Sequence, residues 1–199
     1  MAVRVKICGL TNLDDTLQTI EAGADALGFN LIPSAKRFVG EDLRWLDDLP
    51  PFVCRVALID DLARLAPSQA VHFDAVQFYA DSGAGPLTLR RLPVVRLKSE
   101  ESLKELAGLG DVPGVLLDSY HESALGGTGI TADWNLAARA VELCPRPVIL
   151  AGGLTPRNVA EAVKLVRPWG VDVSSGVEAE LRRKDPEKVR AFLEAARGV

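Results

Sequence analysis

The sequence predicts a closed (β/α)8 (TIM) barrel, an α/β fold formed by residues 1–199 as a single domain. Three observations carry that prediction. Short β-rich runs alternate with longer helical patterns along the whole chain. Eight such strand runs can be counted. Several of them are almost wholly apolar, as strands buried on both faces are. Strict alternation implies a parallel sheet with right-handed crossovers. Eight repeats favour closure over an open doubly wound sheet, which stands as the alternative if two strands are misread. At 199 residues each unit averages about 25, the small end for this fold.

The strand runs are 3–8 (VRVKIC), 26–29, 53–58, 75–78, 94–97, 114–117, 148–151 and 171–174. The first helix is expected over 13–22, opened by Asn12, a residue type that caps helices. Residues 133–144 and 157–166 carry apolar spacing of three and four, the latter with Pro156 near its first turn. The last helix is expected over 185–196, with Pro186 at its start. The third and fourth helices must be very short, within DDLARLA (60–66) and PLTLRRL (86–92).

Composition excludes several function classes. Hydrophobic residues make up 48% of the chain, enough for one sizeable core. The net charge is -4, which offers no attraction to a phosphate backbone, so no nucleic-acid partner is expected. The densest basic runs, LRRL (89–92) and LRRKD (181–185), read as solvated faces. Cys8, Cys54 and Cys144 are odd in number and widely spaced, against a disulfide framework or a zinc site. Lys6 interrupts the first apolar run, which is therefore not signal-like, and no run approaches the ~20 residues of a membrane span. A cytoplasmic location with reduced thiols and no membrane partner is expected.

In this fold active-site groups sit at the C-terminal ends of the strands. Cys8 ends the first strand and Asp118 the sixth. Gly152 and Gly153 follow the seventh, and Ser174, Ser175 and Gly176 follow the eighth. The last two loops suit a phosphate held by backbone N–H groups and helix dipoles rather than by lysines. They also fit glycines that only serve turns. A carboxylate closing the apolar run GVLL is costly unless used or paired, although a loop cap is equally consistent. Cys8 alone reads as a small buried hydrophobe or as a reactive thiol. Residues 6 and 8 share a strand face, so Lys6 is expected to point inward with Cys8 and favour its thiolate. Cys54 and Cys144 read as core or filler. His72 and His121 lie in polar stretches away from strand ends, and no Ser/His/Asp set is visible.

Together VKICGLTN, GADALGF, LLDS…GGTG…DW, RPVILAGGLTPRNVAEAV and VDVSSGVEA…KDPEKV resemble the phosphoribosylanthranilate isomerase family of tryptophan biosynthesis. The resemblance runs from residue 3 to about 196, in order. It implies the barrel and an Amadori rearrangement of N-(5-phosphoribosyl)anthranilate to 1-(2-carboxyphenylamino)-1-deoxyribulose 5-phosphate. It implies a small phosphorylated substrate, no metal and no organic cofactor. By the same resemblance Cys8 is the general base and Asp118 the general acid. Arg37, in PSAKRFV, meets the anthranilate carboxylate. Phosphate contacts fall on Gly152, Gly153, Ser174, Ser175 and Gly176. The chain departs from the family pattern in three places. VQFYAD keeps Gln77 but has Tyr79 and Ala80 where His and Gly are usual. GFNLIP stands for GFVFYP, and LRRKD for PGKKD.

Two other readings stay open at this point. A related barrel enzyme, such as a histidine-pathway isomerase or a broader sugar-phosphate isomerase, would be expected to carry an aspartate where Cys8 stands. A barrel that binds a phosphorylated ligand without turnover would fit the altered end of strand four. Monomer and homodimer are both compatible with the sequence.

Overall fold

Period-two alternation sorts each strand into residues that meet the helices and residues that fill the barrel. The computed structural model describes residues 2–82, 88–119 and 133–199. Its strands are β1 (Arg4–Cys8), β2 (Ala26–Asn30), β3 (Cys54–Asp61), β4 (Ala75–Ala80), β5 (Arg90–Leu97), β6 (Val115–Ser119), β7 (Val148–Leu150) and β8 (Gly170–Val173). They pair in chain order, all parallel, and close into an eight-stranded barrel. Closure is the pairing of β1 with β8, which sets Arg4 opposite Gly170 and Lys6 opposite Asp172.

The outward set makes the main core. Val5, Ile7, Val171 and Val173 pack with Val159, Ala162, Phe192 and Leu193 of the helices. On the other side Leu27, Phe29, Ala57 and Ile59 pack with Leu46, Leu62 and Phe73. Each fully buried valine, leucine, isoleucine or phenylalanine among them contributes roughly 1.5–3 kcal/mol. The inward set differs. Val94, Leu116, Ile149 and Ala151 form a small apolar plug. Towards the strand ends the inward positions turn polar, and Lys6, Asn30, Gln77, Asp118 and Asp172 are all buried. Buried groups of this kind are costly unless paired or used.

The first helix begins at the cap expected for it, and two others begin within a residue of their expected starts. Helix α1 (Leu13–Glu21) opens with the Asn12 side chain accepting from the Asp15 N–H at 2.8 Å. Helix α4 (Trp134–Leu143) is capped by Asp133, and α6 (Pro186–Arg197) by Asp185 with Pro186 in the first turn. Helix α5 (Val159–Val166) starts two residues later than the spacing suggests, because the Asn158 side chain is engaged in the preceding loop. The short third helix is a 3₁₀ turn at Leu62–Arg64 followed by α2 (Pro67–Ala70). Helix α3 (Lys104–Ala107) fills the next-but-one connection.

The expected helix over 86–92 is corrected. Residues 86 and 87 lie outside the described residues, and Arg90–Leu92 already belong to β5. Leu89 and Leu92 stand three apart, as on a helix, but Leu92 is held in the sheet opposite Gln77. A second, two-stranded antiparallel sheet follows the barrel, formed by β9 (Glu178–Glu180) and β10 (Arg183–Lys184). Among the described residues no helix is long and apolar enough to cross a membrane.

Asp25 ties both ends of the chain to the barrel floor. Its carboxylate accepts from the Val5 N–H at 2.9 Å, from Arg4 at 2.8 Å and from Arg197 of α6 at 2.8 Å. Partial burial works against the charged form, but the Val5 N–H and the two guanidiniums outweigh it and hold the carboxyl below its ordinary value. Such a group stabilises the fold above the unfolded-state value near 3.9 and loses that contribution as pH falls through its lowered folded value. Asp25→Asn is expected to cost about 0.5–1 kcal/mol at pH 7, allowing for solvent screening. Urea unfolding at pH 7 and again in acid checks this. The gap between parent and variant should narrow in acid, and an equal gap at both pH values would contradict the assignment.

Candidate active site

Three loops converge over the end of β1 because small residues there leave room. Gly9, with φ +77, follows Cys8 directly; a Cβ on it would meet Arg37 Cδ at 2.5 Å and Ser174 Oγ at 2.8 Å. The Arg37 side chain from the loop after β2 and Ser174 from the end of β8 therefore lie against the backbone beside Cys8. Gly28 of β2 leaves similar room a layer deeper in the barrel. A Cβ there would meet Cys8 Sγ at 2.7 Å and Lys6 Nζ at 2.8 Å.

The inward orientation expected for Lys6 is observed. Its Nζ donates to Asp172 Oδ1 at 2.9 Å, across the β1–β8 seam. Burial disfavours the charge, yet Asp172 and the neighbouring Cys8 outweigh it and raise the lysine well above its ordinary value. Lys6 is thus a permanent ammonium. Cys8 is 6% exposed. Burial pushes its thiol up, Lys6 and Lys184 pull it down, and Asp172 adds to the rise. A thiolate here is a minority species at neutral pH, but a strongly basic one.

Asp118 is buried on the inner face of β6, opposite Arg96 of β5 in the sheet register. The Arg96 guanidinium lies 5.4 Å from the centre of the Tyr79 ring. Tyr79, where the family usually has histidine, points into the same space. Burial raises its phenol, and the Asp118, Cys8 and Asp172 charges raise it further, so it stays a neutral hydroxyl. Gln77 is also buried there, and among the described residues its Oε1 has no hydrogen-bond partner.

The two expected phosphate loops meet directly. Gly152 (φ +94) and Gly153 (φ +65) shape the loop after β7. Asn158 braces it, accepting from the Thr155 N–H at 2.7 Å and donating to the Gly153 carbonyl at 3.0 Å. Ser175 and Gly176 begin a 3₁₀ turn after β8. A Cβ on Gly176 would fall 2.0 Å from the Leu154 carbonyl oxygen, so the two loops are in backbone contact.

One expectation from the sequence is corrected here. LRRKD is not a uniformly solvated run. Arg183 is exposed, but Lys184 is 6% exposed and donates to the Ser174 carbonyl at 3.0 Å. A cation thus supports the loop expected to rely on neutral donors alone. Antiparallel alternation in the β9–β10 pair turns residue 184 inward, a signal the basic run conceals. Lys184 also approaches Glu178 at 3.4 Å. Glu178 in turn takes Arg37 in a two-pronged bridge at 2.7 and 2.6 Å. Burial opposes the Glu178 charge, but Arg37 and Lys184 prevail and hold its carboxyl below the ordinary value. Sequence reasoning did not find this partner, which lies far along the chain from Arg37.

The structure therefore brings Cys8, Asp118, Arg37, Gly152, Gly153, Ser174, Ser175 and Gly176 to one barrel mouth. The GGTG segment and His121 lie outside the described residues. His72 is remote, paired with Asp47 at 2.9 Å. Among the described residues no cluster of His, Cys, Asp and Glu could hold a metal ion.

This geometry has close parallels. Residues 5–195 match the family model described as N-(5'phosphoribosyl)anthranilate (PRA) isomerase. The chain belongs to the N-(5'-phosphoribosyl)anthranilate isomerase family. It is accordingly an isomerase of tryptophan biosynthesis. Family relatives include N-(5'-phosphoribosyl)anthranilate isomerase from Pseudomonas fluorescens (strain Pf0-1), 41% identical, with 98% of this chain and 99% of the relative covered. The same enzyme from Thiobacillus denitrificans is 42% identical, with 99% of each covered. Among solved structures, the phosphoribosyl anthranilate isomerase from Thermotoga maritima superposes with a TM-score of 0.84 at 34% identity, covering 99% of this chain and 100% of that one. A family structure in complex with reduced 1-(o-carboxyphenylamino)-1-deoxyribulose 5-phosphate superposes with a TM-score of 0.81 at 33% identity, with the same coverage.

Gly176→Ala tests the loop contact. The added methyl must separate the loops after β7 and β8, at an expected cost of about 1–3 kcal/mol. Urea unfolding gives the cost, and amide exchange should show increased opening at Leu154 and Thr155. Unchanged stability and exchange would contradict the backbone contact.

Proposed function

We propose that this chain carries out the family's Amadori rearrangement with Cys8 as general base and Asp118 as general acid. The observation that supports it best is the placement of a buried thiol and a buried carboxyl on inner strand ends of one mouth, at β1 and β6. Protonated Asp118 gives its proton to the furanose ring oxygen. The C1′–O bond breaks, and the anthranilate nitrogen lone pair forms the C1′=N bond of a Schiff base. The Cys8 thiolate then removes the C2′ proton, and those electrons form C1′=C2′ while the C=N pair returns to nitrogen. The resulting enolamine takes a proton at C1′ and loses the enol proton, leaving the C2′ ketone.

The remaining residues hold the two ends of the substrate. The glycines of 152–153 and the 174–176 turn cradle the phosphate with backbone N–H groups. Lys184 stiffens that cradle from beneath. Arg37 receives the anthranilate carboxylate, for which a guanidinium is suited. Its Nε and Nη2 are engaged by Glu178, so the carboxylate meets Nη1 or displaces Glu178. A family relative holding a reduced product analogue supports the choice of substrate. The reading takes residues 1–199 as one barrel domain acting in the cytoplasm. It also takes the chain to pair as a homodimer, since a Thermotoga maritima relative is described as dimeric and Phe52 and Val71 are exposed.

Loss of phosphoribosylanthranilate fluorescence measures turnover. Cys8→Ala is expected to lower kcat by about 10²–10⁴-fold, the usual contribution of a general base. Cys54→Ala, which alters a thiol remote from the mouth, should keep parental turnover. Near-parental activity in Cys8→Ala would remove the base assignment.

Asp118→Asn should be equally damaging, because an amide carries no mobile proton for the ring oxygen. The pH profile of kcat/KM should be bell-shaped in the parent. If Asp118→Asn keeps the parental profile and rate, Asp118 is only a loop cap.

Sedimentation tests the pairing. Phe52→Asp should yield monomers if that residue lies between two copies, and an unchanged sedimentation coefficient would rule this out.

A further inference from the structure

The Lys6–Asp172 pair fills barrel space that apolar side chains fill elsewhere, and the reaction steps above use neither residue. A buried ion pair seldom adds stability over apolar packing, because desolvation offsets its attraction. Its position suggests another use. The pair lies across the seam that closes the barrel, and Lys6 Nζ shares the bare face of Gly28 with Cys8 Sγ. Two atoms that approach one point so closely are neighbours, and any side chain at residue 28 would separate them.

We propose that Asp172 is a positioning residue acting through Lys6: it anchors the ammonium beside the Cys8 sulfur and counterweights its charge. The thiolate then forms under a fixed cation yet keeps the basicity needed to take a carbon-bound proton. This rests on Cys8 being the base. The balance follows from the groups that face the sulfur. Lys6, on β1 itself, and Lys184, from β10, favour the thiolate. Arg37, from the loop after β2, adds positive charge near it. Asp172 from β8 opposes them. Tyr79 from β4 stays neutral, with the charge of Asp118 from β6 acting on it. Without Asp172 the Lys6 charge would be unopposed, since Glu178 already pairs Arg37 and Lys184; the thiolate would be more abundant but less basic, and proton abstraction slows as basicity falls. With the anion and no Lys6, the thiolate would scarcely form.

The two partners therefore pull the thiol in opposite directions, which a pair uncoupled from it would not do. The test uses proteins carrying Cys54→Ala and Cys144→Ala, so that Cys8 is the one thiol. Its ionisation is followed by the ultraviolet absorbance of the thiolate against pH. Lys6→Met should raise the midpoint by about 1–3 pH units, and Asp172→Asn should lower it. Lys6→Met/Asp172→Asn, a neutral pair of similar volume, should fall between the parent and Lys6→Met. If the single variants fail to fold, the double variant decides alone: a midpoint above the parent supports the proposal, and a parental midpoint overturns it. Shifts of the two single variants in the same direction, or an Asp172→Asn midpoint equal to the parent's, also overturn it. The limb of the kcat/KM profile that the thiol sets should follow its midpoint in each active variant. Should Cys8→Ala retain turnover while the midpoints separate as described, the base assignment fails and the charge balance stands. Should Cys8→Ala be inactive while the midpoints stay together, the base stands and the positioning role fails.

Discussion

Strand β1 must pair with β8 for the barrel to close, and at that seam Lys6 and Asp172 meet 2.9 Å apart inside it. Much of the mouth is set by that constraint. Closure fixes the register of β1, and the register fixes which face Cys8 presents. Alternation then sends Val5 and Ile7 outward to the helices and Lys6 and Cys8 inward. A slip of one residue would exchange the two sets, burying Ile7 in the mouth and exposing the thiol to the helical shell. The ion pair across the seam is compatible with one register only. It therefore opposes that slip whether or not it adds to stability.

The mouth is an arrangement of charges held apart by neutral residues. On one side Cys8 lies among Lys6, Lys184 and Arg37. On the other Asp118 lies opposite Arg96 in the sheet, with the Tyr79 ring against that guanidinium. The chain Arg37–Glu178–Lys184–Ser174 joins the loop after β2 to the loop after β8. Each link is largely shielded from solvent, where charge-assisted hydrogen bonds are stronger than on the surface. The tyrosine in place of the usual family histidine keeps this space apolar on its ring face and offers a neutral hydroxyl, so it leaves the charge pattern unaltered.

Most of the barrel was legible in the sequence because its strands are apolar runs separated by capped helices. Asn12, Asp133 and Asp185 cap the helices expected of them. The residues closing strands one and six could be read as a mouth because the fold class places strand ends together. What escaped the sequence depends on pairing at a distance. Residues 90–92 fall in the run expected to be a short helix, and pairing with the neighbouring β4 makes them strand. Lys184 sits in a basic run, and only the hairpin with β9 turns it inward. The partner of Arg37 lies on a different loop, at Glu178. Inward Lys6 was predictable from its spacing to Cys8, but its counter-ion was not, because Asp172 becomes its neighbour only when the barrel closes.

The most direct test is a crystal structure of this chain with a reduced product analogue bound. The account predicts that the phosphate lies between Gly152–Gly153 and Ser174–Gly176. It places the ring carboxylate on Arg37, C2′ against the Cys8 sulfur, and the oxygen derived from the furanose ring towards Asp118. An analogue seated with C2′ turned away from Cys8, or with its phosphate held outside the loops after β7 and β8, would contradict it.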